Sequence, residues 1–331
     1  MTDFVKKLES KKNLSFEESK TLFSKIMEGQ YDEDSIIKIL NALSNKGETR
    51  DELAGSIFVM RSKATLVKAP SGTIDTCGTG GDGQNSLNIS TAAAIVLASS
   101  GVKVAKHGNK AISSNCGSAD VLEELKININ LKPQEVEKSI EKVNFGFMFA
   151  PNYHQAMKHV SSARKKIARK TIFNLIGPLS SPAQVKKQVV GVFNEKWMMP
   201  FAEALKENNV ENAFVVHAED GMDEISPFVK TKIVELNNSS IKTYLIDPIE
   251  LNIINKNKEN LKGKNAEYNA QKIIDIFKGE DNEFSDSVSL NVAAGLLISN
   301  RDKNFKNAYK FSKQLLKSGK VFEHLKKIQS I

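Results

Sequence analysis

Hydrophobic and polar positions change their rhythm near residue 70. Over residues 1–66 apolar side chains recur at three- and four-residue spacing, and no strand signal interrupts them. Glu18 stands three residues after Ser15, the spacing of a capping box, and predicts a helix start there. Further helices are predicted over 34–45 and 49–63. Their stripes (Ile36, Ile37, Ile39, Leu40, Leu43; then Leu53, Ile57, Phe58, Met60) need an apolar surface to pack on.

From residue 73, short β-rich runs alternate with helical ones. Strands are predicted over 73–77, 102–105, 145–149, 188–193 and 213–217. Helices are predicted over 90–100, 118–125, 153–163, 195–207, 266–277 and 287–298. The run 233–246, broken by Asn237-Asn238-Ser239-Ser240, reads as a hairpin. This is an α/β chain: a small all-helical domain (1–70, completed by helices near 155–185) beside a larger α/β domain (71–331). The larger domain should have a mostly parallel central sheet flanked by helices.

With 331 residues, 40% of them hydrophobic, the chain can bury a full core. Cys77 and Cys116 are the only cysteines, and no His/Cys cluster has zinc-ligand spacing, so a reducing, cytoplasmic setting is expected. The charged first residues and the lack of a run of about 18 apolar residues argue against export and membrane insertion. A formal charge of +8 suits nucleic acid or a polyanionic small molecule. Much of the surplus (Lys306, Lys310, Lys313, Lys317, Lys320) reads as a solvated helix face, with Phe305 and Tyr309 turned to the core, so no nucleic-acid partner is expected.

Candidate chemistry sits at strand ends. Gly78-Thr79-Gly80-Gly81-Asp82-Gly83 follows the first strand, and Asn88-Ile89-Ser90-Thr91 opens an alanine-rich helix. Glycines bring backbone N–H groups against a phosphate, and the helix N-terminus adds donors. Neither a Walker A loop nor a Rossmann fingerprint is present. Asp82 would repel phosphate unless a metal or a sugar hydroxyl intervenes, so a magnesium-bound sugar diphosphate fits. A turn of Lys106, His107, Gly108 and Asn109 ends the second strand and leads through Lys110, Ala111, Ile112, Ser113 and Ser114 to a helix opened by Ser118, a second anion site. Asp223-Glu224, after the strand ending at His217, suits magnesium, which prefers one or two carboxylates plus substrate phosphates.

These blocks, in this order, closely resemble the anthranilate phosphoribosyltransferase family, which shares its fold with pyrimidine nucleoside phosphorylases. The resemblance extends through Lys46-Gly47-Glu48-Thr49, Phe149-Ala150-Pro151, Thr171-Ile172-Phe173-Asn174 and Gly177-Pro178-Leu179. It implies 5-phosphoribosyl 1-diphosphate as donor, held by Gly78, Gly81, Asp82, Ser86, Asn88 to Thr91, Lys106 to Ser114, and Ser118. It implies Mg²⁺, two ions, on Ser90, Asp223 and Glu224. Anthranilate would meet Gly78, Asn109 and Arg164, with His107, His154 and Pro178 as pocket walls; Lys106, His107, Asn109 and Arg164 would aid catalysis. A cytoplasmic homodimer in tryptophan biosynthesis is also implied. The chain departs from the family pattern at Lys110, where arginine is common, and at Ala168 and Lys170, where glycine and arginine are usual. Two alternatives stand beside this reading: a pyrimidine nucleoside phosphorylase, and a non-catalytic nucleic-acid-binding relative, which should have lost Asp82, Asp223, Glu224 or the glycine loop.

Overall fold

The structure is a computed structural model and describes residues 2–111, 115–254 and 257–331. Four helices precede the first strand: α1 (Thr2–Glu9), α2 (Phe16–Met27), α3 (Glu33–Lys46) and α4 (Arg50–Ser62). The expected capping box is present, with Ser15 accepting from the Glu18 N–H and Glu18 accepting from the Ser15 N–H. A second box, Thr49 with Glu52, opens α4. The buried Glu52 carboxylate also accepts from the Leu14 N–H at 2.9 Å and pairs with Lys46 at 2.9 Å. One side chain thereby fixes the entry to α2, the end of α3 and the start of α4.

Strands and helices then alternate: β1 (Ile74–Gly78), α5 (Ile89–Ser99), β2 (Val104–Gly108), α6 (Ser118–Glu124), α7 (Pro133–Val143), β3 (Phe145–Phe149), α8 (Ala150–Tyr153), α9 (Lys158–Ile167), α10 (Ile172–Ile176), β4 (Lys187–Gly191), α11 (Met198–Glu207) and β5 (Asn212–Ala218). The hairpin β6 (Thr231–Asn237) and β7 (Ser240–Ile246) follows, then α12 (Ala266–Phe277), α13 (Glu283–Ile298), α14 (Phe305–Lys317) and α15 (Lys320–Gln329). Asn238 and Ser239, both at positive φ, make the two-residue hairpin turn whose twist matches the strands.

The sheet order is β3-β2-β1-β4-β5-β6-β7, with β3 through β5 parallel and β6 and β7 antiparallel additions. One core lies between the sheet and α5, α12, α13, α14 and α15. A second joins the opposite face to α11, α9, α10 and the N-terminal helices, which buries the α3 and α4 stripes except for Ile37, half-buried, and Phe58, which is exposed. The chain runs from β1 outward through β2 and β3, then returns to place β4 on the other side of β1. Such a reversal opens a crevice at the carboxyl ends of β1 and β4, the usual ligand position in open α/β sheets.

Local reading misplaced several boundaries. Lys106, His107 and Gly108 are not in a turn: pairing with Phe147, Met148 and Phe149 carries β2 on to Gly108. The helix expected over 153–163 is broken, because His154 leaves helical geometry (φ −117°, ψ 60°) and α9 begins only at Lys158. Helix α13 starts at Glu283, capped by Asn282, ahead of the expected 287. Lys313 is not simply solvated, since it bonds Asp286 at 2.6 Å and also contacts Asp281. Tyr309 is buried as expected and donates to Asp286 at 2.9 Å.

Candidate active site

Gly78 and Gly191 end β1 and β4 in register with each other, and together they floor the crevice. A Cβ on Gly191 would lie 1.5 Å from the Asp223 carbonyl oxygen, and one on Gly78 would lie 2.6 Å from Asp223 Oδ2. The backbone of the Asp223 segment therefore rests directly on two side-chain-free positions. Asp223 Oδ2 accepts from the Gly80 N–H at 2.8 Å, and the Thr79 N–H donates to the Gly191 carbonyl at 2.9 Å. Gly80, Gly81 and Gly83 all adopt φ between 62° and 77°, which lets this loop fold back over β1.

Next to it, the Ser90 N–H at the start of α5 donates to Glu224 at 3.2 Å. Lys106, 2% exposed, reaches the Thr76 carbonyl at 2.5 Å and the Ser90 hydroxyl at 3.4 Å. Asn88 braces the helix start, donating to the Cys116 carbonyl and accepting from Asn269. Gly108 has no room for a Cβ because Ser118 Oγ would be 2.0 Å away. Asp120 holds the loop after β2 by accepting from the Ala111 and Gly117 N–H groups at 2.8 Å each.

A cavity of about 510 Å³ results. Every donor-site residue expected between Gly78 and Ala111, with Ser118, Asp223 and Glu224, lines it. Ile112, Ser113 and Ser114 lie outside the described residues. Lys110 turns its ammonium to Glu123 at 2.8 Å in an exposed pair, so its charge is shared with an acid on α6. Arg164, His154 and Pro178 are not in this lining. Arg164 packs its guanidinium over Phe173, 5.5 Å from the ring centroid, and burial lowers its pKa. Pro178 is tied to the site through its carbonyl, which accepts from Cys77 and Gln188.

The acidic pair is electrostatically loaded. Burial first, then repulsion from Asp82, pushes the Asp223 carboxyl up to about 7. Burial and Asp223 raise Glu224 well above the carboxylate range, and Lys106 opposes the rise. Buried acids that repel one another are relieved by a divalent cation, and Ser90, Asp223 and Glu224 supply the hard oxygen donors that Mg²⁺ takes. The residues fit the ion.

Three features escaped sequence reading. Gly191 lay inside a predicted strand, and nothing local marks what rests on it. Lys170, in a basic run that reads as a solvated helix face, donates to the Gly81 carbonyl at 2.6 Å and lines the cavity. Asp75, Cys77 and His107 bring ligand atoms within 4.8 Å of one another, although no zinc-like spacing announced them. His107 Nδ1 contacts Asp75 Oδ2 directly and Nε2 faces the Gly177 carbonyl at 2.9 Å, while burial raises the Cys77 thiol well above its usual value. That group is a hydrogen-bonded link from the sheet to the segment after α10.

His154 sits near this link, 7% exposed, with Nε2 unpartnered. Burial, helped by His107, pulls its pKa down to about 4. The unfolded chain binds a proton near pH 6.5 that the folded chain refuses until about 4, so His154 favours folding fully above 6.5 and loses that contribution as pH falls to 4. The expected difference is about 3 kcal/mol. Urea titrations of wild type and His154→Gln from pH 4 to 7 should show a weaker loss of stability on acidification in the variant; identical slopes would refute the assignment.

With the geometry in hand, the sequence matches two family descriptions: "Glycosyl transferase family, helical bundle domain" over residues 2–64 and "Glycosyl transferase family, a/b domain" over residues 71–322. Helical bundle, mostly parallel sheet and a glycine-floored crevice thus accompany the sequence match, and the chain is a glycosyl transferase. An anthranilate phosphoribosyltransferase of Pelagibacter ubique is 54% identical over the full length of both chains, and one of Methanosarcina acetivorans is 45% identical over 97% of this chain and 87% of its own. The crystal structure of the enzyme from Thermus thermophilus superposes with a TM-score of 0.93 at 36% identity, covering 99% of this chain and 98% of that one. The enzyme from Saccharomyces cerevisiae in complex with PRPP and Mg superposes at 0.89, with 26% identity and coverage of 100% and 98%. The chain belongs to the anthranilate phosphoribosyltransferase family.

Proposed function

We propose that the crevice over Gly78 and Gly191 is where this chain holds 5-phosphoribosyl 1-diphosphate and presents it to anthranilate. The chain is an enzyme of this family, transferring the 5-phosphoribosyl group to the anthranilate amine and releasing diphosphate, a step of tryptophan biosynthesis. The convergence of the glycine loop, the α5 N-terminus, Lys106 and the buried acidic pair on one cavity carries the assignment of the donor to this place.

Mg²⁺ would be held by Ser90, Asp223 and Glu224, two ions being the working number, and would supply charge neutralisation for the departing diphosphate. The loop N–H groups, Lys106 and Ser118 bind and orient the donor. The amine of anthranilate is neutral at physiological pH, so its lone pair attacks the anomeric carbon without prior deprotonation as the carbon–oxygen bond to diphosphate breaks, inverting configuration, and the resulting ammonium then gives its extra proton to the released diphosphate. Asn109 and Arg164 orient the acceptor, Arg164 through its carboxylate, with His107, His154 and Pro178 as walls. Arg164 packs against Phe173 and does not line the donor cavity, so the acceptor role proposed for it rests on the family resemblance.

We place the protein in the cytoplasm as a homodimer formed through the helices before residue 70. No helix among the described residues is long and apolar enough to cross a membrane. Phe58, 43% exposed on α4 and packed edge-on against Phe16, supports a contact there. Light scattering at micromolar concentration should give a dimer mass that Phe58→Asp lowers.

The direct test follows anthranilate fluorescence with both donor and Mg²⁺ present. Loss of fluorescence together with stoichiometric diphosphate release is expected, and omission of either component should abolish it. Phosphorolysis of uridine or thymidine would favour the nucleoside phosphorylase alternative. A salt-dependent DNA shift without diphosphate release would favour the nucleic-acid-binding one.

A further inference from the structure

The basic run that ends α9 and continues past it is not uniform. Lys166 pairs with Glu33, and Arg169 donates to Asn41 and Asn45, all contacts to α3 or its immediate N-terminal edge. Lys170 points the other way. Ala168, in the left-handed conformation at φ 50°, ends α9 and redirects the chain, and the Lys170 ammonium crosses to the glycine loop. There it donates to the Gly81 carbonyl at 2.6 Å and lies 3.4 Å from the Phe193 ring centroid. Phe193 is itself fastened to the loop, because its N–H donates to Thr79 Oγ1 at 2.9 Å. Gly81 is shaped to this arrangement, since a Cβ there would come within 2.9 Å of Lys170 Cε.

Resting on the donor cradle proposed above, we propose that Lys170 is a diphosphate-binding residue, contributed to the phosphates from the helical side of the cleft. A glycine loop offers a polyanion N–H donors, but its carbonyl oxygens repel phosphate. Lys170 covers the Gly81 carbonyl and replaces that acceptor with a cation at the cavity wall. An ammonium has three N–H groups. The carbonyl and the ring face occupy two directions, which leaves donor capacity for the cavity that Lys170 lines. Partial desolvation lowers the Lys170 pKa, and Asp223 and Asp82 oppose that shift. Magnesium held by Asp223 would offset that acid's charge and leave the Lys170 charge available to a diphosphate.

The test is calorimetric titration of magnesium diphosphate into wild type, Lys170→Gln, Lys170→Arg and Arg169→Gln, paired with steady-state KM values for donor and acceptor. Lys170→Gln should weaken diphosphate binding and raise the donor KM by roughly tenfold, the loss of one charge-assisted contact. The anthranilate KM should stay within about twofold. Lys170→Arg should recover most of the affinity. Arg169→Gln removes the same formal charge one residue away and should bind like wild type. Equal affinity in wild type and Lys170→Gln, or equal weakening in Arg169→Gln, overturns the Lys170 assignment alone. A wild type that neither binds magnesium diphosphate nor consumes the donor overturns the cradle and, with it, Lys170. Melting curves for all four proteins separate misfolding from lost binding, because Lys170 is exposed and its replacement leaves the core untouched.

Discussion

Replacing Asp223 and Glu224 together by Asn and Gln should cost about three orders of magnitude in kcat, remove the dependence on Mg²⁺, and yet raise the melting temperature of the metal-free protein at about pH 8. The first effect follows from the loss of several kcal/mol of charge stabilisation on the leaving group. The rise in melting temperature comes from the burial and mutual repulsion that raise both carboxyl pKa values. For Asp223, the unfolded chain releases its proton near pH 4 and the folded chain only near 7, so stability falls as pH rises through that window and the cost is complete above it. Neutral isosteres remove the cost. In the Asp223→Asn side chain the amide oxygen can still accept from the Gly80 N–H, so the loop need not move. Because His154 contributes a slope of opposite sign below pH 6.5, the effect is read as variant minus wild type. A double variant with wild-type kcat at saturating Mg²⁺ would show that the metal is held elsewhere, and one that melts below wild type would contradict the repulsion.

Gly191→Ala is the second large effect expected, and it acts without touching a polar side chain. The added methyl would stand 1.5 Å from the Asp223 carbonyl oxygen and 2.4 Å from its carbon, so the acidic segment must lift off the sheet. A displacement on the order of 1 Å at a metal-holding residue is enough for a hundredfold loss in kcat. Overpacking should destabilise the fold by about 1–3 kcal/mol. Mg²⁺ should then protect the variant from thermal unfolding less than it protects wild type. Differential scanning calorimetry with and without Mg²⁺, beside turnover, measures both effects; normal metal protection in Gly191→Ala would mean that the floor of the crevice tolerates a side chain.

Local patterns foretold much of this molecule. Ser15 and Glu18 mark the start of α2 because capping is chemistry within four residues, and the β6–β7 hairpin follows from its turn residues. The Gly78–Asp82 loop, Ser90 and the Asp223-Glu224 pair stand out in the sequence as candidate chemistry because of their residue types and spacing, and the structure brings them to one cavity.

What the local patterns missed was set by pairing across the sheet or between layers. Lys106 and His107 are strand residues only because β3 bonds to β2, and the helix expected over 153–163 breaks where His154 enters the interior. The sequence by itself determined the helical and α/β stretches, the caps, the glycine loop and the acidic pair, since each depends on neighbours along the chain. Tertiary structure alone decided that β4 returns beside β1, that Gly191 meets Gly78 beneath Asp223, and that Lys170 leaves its basic run for the Gly81 carbonyl. Those contacts join residues about 30 to 145 positions apart, and their energies depend on distance in space, to which no periodicity along the chain corresponds.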